Sequence, residues 1–193
     1  NWKILGDMLD KIIQDCMGEA LYNGLESLLN GKTMTIEFIS GNDSEFYFNG
    51  SSTGIRIGMN RTESNHLLHE MFHCYQVYHE TTTTYSGAKL NIEIEAHYAQ
   101  YLFTSRLPEY PNSPWSEKYE KKKRYNAIKR LERIINEKGE LLPNQTSNDL
   151  KDYIDETVKK EFTKNDIYNQ YTFDDSRTPL QNFSNLQNLT KGC

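Results

Sequence analysis

Residues 62–78 read TESNHLLHEMFHCYQVY, and the fold is decided by how this stretch is read. Leu68, Met71, Phe72 and Tyr75 recur at the spacing of one helical face, with Thr62 as N-cap and Glu63 in the first turn; the spacing predicts a helix to about Tyr78. Within it stands His69-Glu70-Met71-Phe72-His73, an H-E-x-x-H. At about 100° per residue the two histidines lie roughly 40° apart on one face, so both imidazoles reach a single Zn²⁺ ion. Glu70 sits on the flank of that face, where it takes a proton from a water on the metal without itself being a ligand. All five histidines fall between His66 and His97, a clustering that a metal site explains.

A catalytic zinc site needs a third protein ligand and an open position. Downstream, Leu90 to Arg106 resumes helical spacing through Ile92, Ala96, Ala99 and Phe103, and Leu107-Pro108 stops it. With the first helix ending near Glu80 and the second beginning near Ala88, His73 and Glu95 stand level in an antiparallel pair, each roughly 10 Å from the turn. Glu95 adjoins the apolar stripe that faces the core, whereas Glu93 falls with His97, Gln100 and Thr104 on the polar side. A carboxylate on an inward face needs a partner, and a metal supplies one. Glu95 is therefore the preferred third ligand and Glu93 its rival.

The rest of the chain reads around this pair. Residues 2–17 and 19–30 carry two helical stripes broken near Gly18 and ended by Asn30-Gly31. Met34 to Ile39, Glu45 to Phe48 and Gly54 to Met59 are short β-like runs separated by turn residues, which predicts a small antiparallel sheet. Thr81 to Gly87 reads as a loop. Ser113-Pro114 opens a helix to about Lys138, closed by Gly139, and Thr146-Ser-Asn-Asp149 has capping-box spacing before a last helix through Phe162. The tail after Asp166 has weak periodicity.

Taken together, His69-Glu70-x-x-His73 on one helix and Glu93-Ile-Glu95-Ala-His-Tyr-Ala-Gln100 on the next resemble the gluzincin branch of the zincin metallopeptidases. The likeness covers about residues 54–106. It implies one zincin-like α+β domain over 1–193, with a helical C-terminal part from about 113, and a zinc-dependent hydrolase acting on a protein or peptide. It further implies His69, His73 and Glu95 as metal ligands, Glu70 as general base, and Gly54 to Met59 as the edge strand that pairs with substrate. A downstream Tyr or His is expected to steady the oxyanion, with Tyr168 and Tyr171 as candidates by residue type. The Asn-Glu-x-x-x-Asp pattern of thermolysin-like members is absent. Glu-Ala-x-x-x-Gln is more similar to small zincin domains of bacterial regulators and toxin C-terminal modules, and a chain opening on Asn1 suits such an excised module.

Composition bounds the alternatives. The chain has 193 residues, 22 Lys+Arg against 27 Asp+Glu, and 12% aromatic residues, which fits one folded domain with a wet surface. No apolar run spans a membrane, and the N-terminal stripe is interrupted by Asp7, Asp10 and Lys11 where a secretory signal would be apolar. Cys16, Cys74 and Cys193 are an odd number without paired spacing, so neither a disulfide framework nor a cysteine metal site is expected; Cys74 reads as a small buried residue. Lys121 to Arg124 reads as a solvated helix face interrupted by acidic residues, with nucleic acid disfavoured by the net charge of −5. The competing expectation is an inactive or metal-free module that engages a protein or nucleic acid through this helix. Six Asn-x-Ser/Thr matches, at Asn42, Asn49, Asn60, Asn144, Asn182 and Asn188, are what an Asn-rich chain yields by chance.

Overall fold

A computed structural model describes residues 1–48, 52–164 and 167–193; Asn49 and the start of the tail at Asp166 lie outside them. The N-terminal stripes fold as α1 (Trp2–Ile13) and α2 (Cys16–Leu29). The break falls at Gln14-Asp15 and not at Gly18, because the Asp15 carboxylate accepts from the Gly18 amide at 3.1 Å and caps α2. Gly18 has another task. It is buried inside α2, and a Cβ there would stand 2.0 Å from the Ile12 carbonyl oxygen, so its lack of a side chain lets the two helices meet. Asn30, at φ 43°, ends α2 as its sequence predicts.

Strands β1 (Met34–Ile39), β2 (Glu45–Phe48) and β3 (Thr53–Gly58) form one sheet in the order β1-β3-β2. β2 pairs antiparallel to β3, but β1 pairs parallel to it, so the sheet is mixed and the expected all-antiparallel sheet is corrected. The reason is burial. Strand β3 carries Gly54, Ile55, Ile57 and Gly58, almost wholly buried, and takes the centre, while β2 keeps its end residues exposed and takes the edge. The substrate-side edge expected of Gly54 to Met59 is therefore occupied by β2.

The H-E-x-x-H stretch is α3 (Ser64–His79), with Glu63 and not Thr62 at the N-cap position. The expected loop that follows contains a short helix, α4 (Thr82–Gly87), because Thr81 accepts from the Thr84 amide and caps it. Next comes α5 (Lys89–Arg106), which packs along α3. Both are buried on nearly every face. α3 is enclosed by α1, α2, α5 and the β2/β3 end of the sheet, and the facing surfaces of α3 and α5 carry His69, Glu70, His73, Gln76, Glu95 and His97 inside the fold. Polar groups buried to this extent persist only when paired.

The single helix expected from Pro114 to Lys138 is instead α6 (Pro114–Lys121) and α7 (Lys123–Arg130), separated by Lys122 in an extended conformation, and then a 3-10 turn, Leu131–Arg133. The turn at Lys122 lets α6 bury Trp115 and Tyr119 while α7 independently buries Ala127 and Ile128. Thr146 and Asp149 make the expected capping box at α8 (Ser147–Tyr153), which continues through a π-helical turn, Ile154–Val158, into α9 (Lys159–Thr163). The tail ends in a 3-10 turn, Pro179–Phe183, and α10 (Ser184–Leu189), which buries Asn185, Leu186 and Leu189. A disulfide joins Cys16 to Cys193, contrary to the expectation from the odd cysteine count; Cys74 is the unpaired, buried one. The fold is α+β, and no helix among the described residues is long and apolar enough to cross a membrane.

Candidate metal centre

One helical turn separates His69 from His73 on α3, and their Nε2 atoms stand 3.0 Å apart. The third group beside them is Glu93, whose Oε2 lies 3.5 Å from His73 Nε2 and 3.7 Å from His69 Nε2. Bonds of about 2.0–2.1 Å from a tetrahedral zinc ion place neighbouring donors about 3.3 Å apart, within the range of these separations. Two imidazole nitrogens and one carboxylate oxygen are also the donor types that zinc takes. These three residues fit the group that the motif implies.

Glu95 lies elsewhere. It is turned inward, as the spacing predicts, and is 1% exposed, but its carboxylate accepts from Gln76 Nε2 at 2.9 Å, from Asn185 Nδ2 at 2.9 Å and from the Leu186 amide at 2.8 Å. Its partner is α10, not a metal. Of the two carboxylates that the sequence offers, the structure thus places Glu93, and not the preferred Glu95, beside His69 and His73. The inward face of α5 meets the C-terminal helix, and the polar face meets the histidines.

Gln76 joins the two groups. Its amide nitrogen donates to Glu95 and, at 3.0 Å, to the Ile92 carbonyl, which has no proton to give. Its oxygen must therefore face His73 Nδ1, 2.8 Å away, and that nitrogen donates. With Nδ1 so engaged, Nε2 is the ring nitrogen that faces His69 and Glu93, the orientation an outer partner gives a histidine that is to meet a metal.

The charges agree with this placement. Burial would raise the Glu93 carboxyl, but the charge of His73 and the approach of both histidines hold it well below the usual carboxylate range. Burial lowers His73, and Glu93 beside it more than reverses this, to about 9. Burial pushes Glu70 up, opposed by His69 and His73 and by a hydrogen bond from the backbone of Phe46 on β2. It also pushes Glu95 up to about 7 against its three donors.

His97, which the spacing puts with Glu93 on the polar side of α5, is buried at the centre: its ring centroid lies 4.7 Å from that of His69, and its candidate donor atom falls within 4.8 Å of those of His69 and Glu93. Burial, then His69 and Arg124, keep it well below the ordinary histidine value. Tyr168 meets it, Oη to Nε2, at 3.0 Å. Tyr171 packs edge-on against Tyr168. Tyr85 of α4 also lines the centre, and burial, with Glu93 and Glu70 nearby, keeps its phenol protonated. Sequence reasoning missed Tyr85, a single tyrosine in a threonine run without periodicity. His97 carried a signal, its place four residues after Glu93 on one helix face. His66 lines the same cleft with its ring edge-on to Trp115, and His79 is exposed beside Tyr75. Cys74 is fully buried and its thiol is pushed up to about 12, which suits packing and not attack.

The centre opens into a cleft of about 680 Å³ between the edge strand β2 on one side and Tyr85, Tyr168 and Tyr171 on the other. Comparison with protein-family models, with curated proteins and with solved structures returns no match.

Proposed function

We propose that the chain is a zinc-dependent peptidase of zincin type, with His69, His73 and Glu93 holding the metal and Glu70 as general base. The observation that carries this reading is the convergence of three donor atoms of the right chemistry and spacing beside a buried glutamate, in a cleft bordered by β2, the edge strand of the described sheet.

Bound there, zinc supplies a Lewis acid and lowers the pKa of a water molecule toward about 7. Every remaining task falls to the protein. Glu70, raised by burial, accepts the proton of the attacking water and passes it to the leaving amine. The Phe46 backbone on β2 lies near enough to Glu70 to lower its carboxyl, so the base borders the edge strand. An extended peptide adds to the free edge of β2, with its backbone groups satisfied by the strand. Tyr85 and Tyr168, both kept protonated, and neutral His97 border the cleft, where an O–H donor steadies the developing oxyanion.

The test is zinc content by mass spectrometry together with digestion of a degenerate peptide mixture. Zinc at about one per chain, lost in His69→Ala and Glu93→Ala, is expected. Glu70→Gln should keep the metal and lose cleavage by about a hundredfold or more. Full cleavage by zinc-loaded Glu70→Gln would refute the mechanism, and failure of the wild type to take up zinc would refute the centre.

The competing binding-module reading finds less support. Lys121 and Lys129 of the basic stretch are paired with Glu117 and Glu120, and Arg124 turns into the cleft.

A further inference from the structure

Arg124 begins in sequence as the last member of a basic run and ends as a half-buried wall of the cleft. Its guanidinium carbon lies 4.9 Å from the ring centre of Tyr125, 4.8 Å from that of Tyr168 and 5.5 Å from that of Phe162. One N–H donates to Tyr125 Oη at 3.2 Å. Its other donors meet no acceptor, and it stands in no ion pair, among the described residues. The surrounding pairs sharpen the contrast. Arg56, Arg106 and Arg177 each hold a carboxylate, in the pairs Arg56–Glu45, Arg106–Asp15 and Arg177–Glu80. Tyr168, on which Arg124 stacks, contacts His97 at the metal centre, so the guanidinium lies one aromatic ring away from the reacting groups.

An arginine held flat by aromatic faces is oriented without being neutralised. Its planar fork then offers paired N–H donors to a planar anion, and carboxylate is the anion whose geometry matches. Two further cations line the same cleft with no carboxylate partner among the described residues: Lys89, over the Tyr171 ring at 4.2 Å, and Arg61. The same cleft also carries Asp43, Glu45, Glu70 and Glu93, so the place of an anion is set by the guanidinium of Arg124 on its own wall and not by the net charge of the opening.

We infer that Arg124 forms a carboxylate subsite of the cleft, and that preferred substrates carry a carboxylate near the scissile bond. The inference rests on the peptidase reading of the same site. The carboxylate comes from an Asp or Glu side chain or from the C-terminus of the peptide, and the experiment separates the two.

The probes are acetylated decapeptides built on a sequence that the zinc-loaded chain cleaves, or on a neutral sequence if none is cleaved. One set places Glu or Gln at each position and is amidated, and the other is neutral with a free C-terminal carboxylate. Cleavage is followed with the zinc-loaded wild type, and binding with zinc-loaded Glu70→Gln by calorimetry. The expected result is a preference of about tenfold or more for one carboxylate-bearing set over the neutral amide, weakening as salt rises. In Arg124→Gln the ratio should fall toward one, and Arg124→Lys should keep part of it, showing that charge and not a lost fold is responsible. Equal binding of acidic and neutral peptides, or a preference unchanged in Arg124→Gln, overturns the subsite. A preference in binding with no cleavage of any peptide overturns the peptidase reading and leaves the carboxylate subsite standing.

Discussion

Glu93 and Glu95 flank Ile94 on α5 and answer to different neighbours. Glu93 faces His69 and His73, while Glu95 faces Gln76 and α10. On the proposed zinc reading, removing Glu93 deletes a ligand, whereas changing Glu95 disturbs only the amide that orients His73. Glu93→Ala is expected to abolish zinc uptake, and Glu95→Gln to weaken it by about 10–100-fold, as read by competition with a chelator. Equal losses would put both carboxylates on the metal. His66 gives a second residue-level expectation. Burial, helped by Arg61 and Lys118, lowers its pKa to about 3 from 6.5. The unfolded chain then binds a proton at His66 below about pH 6.5 that the folded chain refuses, so this contribution to stability is full above pH 6.5 and declines as pH falls toward 3. The slope is up to about 1.4 kcal/mol per pH unit. In His66→Phe, which keeps an aromatic ring against Trp115, the urea midpoint should fall less steeply between pH 6 and 4 than in the wild type. Parallel profiles would show that His66 is not a source of acid sensitivity.

At the scale of elements, the meeting of α1 and α2 depends on a missing side chain. In an ordinary helix interior Gly→Ala gains about 1 kcal/mol of propensity. At Gly18 the added Cβ meets the Ile12 carbonyl oxygen at 2.0 Å, a backbone atom that cannot swing aside. The clash outweighs the propensity, and Gly18→Ala is expected to lose about 1–3 kcal/mol in urea unfolding. A gain in stability would show that α1 and α2 separate freely. The edge strand carries a similar constraint. A Cβ at Gly54 would stand 2.3 Å from Tyr47 Oη, so β3 makes room for the β2 side chain that lies across it, and Arg56 covers the same ring at 4.7 Å. The strand along the cleft is thus held from beneath by the central strand.

At the scale of the molecule, the two ends of the chain are fastened together. Cys16 begins α2 and Cys193 ends the chain, 177 residues later, with α10 between Cys193 and the rest of the fold. A crosslink that closes so long a loop restricts the unfolded ensemble, an effect of several kcal/mol in the loop-entropy account. Cys193→Ser, or reduction of the wild type, is expected to lower the thermal midpoint by on the order of 10 °C. Because α10 supplies Asn185 and the Leu186 amide to Glu95, the same change should also weaken zinc retention. A lower midpoint with metal affinity untouched would uncouple the C-terminal helix from the centre.

What the sequence by itself determined is local. The two central helices, the H-E-x-x-H face, the caps at Asn30 and Thr146 and the three strands follow from periodicities and capping residues that neighbouring positions decide among themselves. Strand order was not legible, since a period of two marks a strand but not its partners, and burial chose β3 for the centre. The choice between Glu93 and Glu95 was not legible either. Both are compatible with a helix facing a core, and only the docking of α10, from a tail without clear periodicity, gave Glu95 another partner. The pairing of Cys16 with Cys193, the entry of His97 and Tyr85 into the centre and the turning of Arg124 into the cleft likewise depend on contacts between residues far apart in the chain. Such contacts are settled by which surfaces bury each other, and no local pattern encodes that.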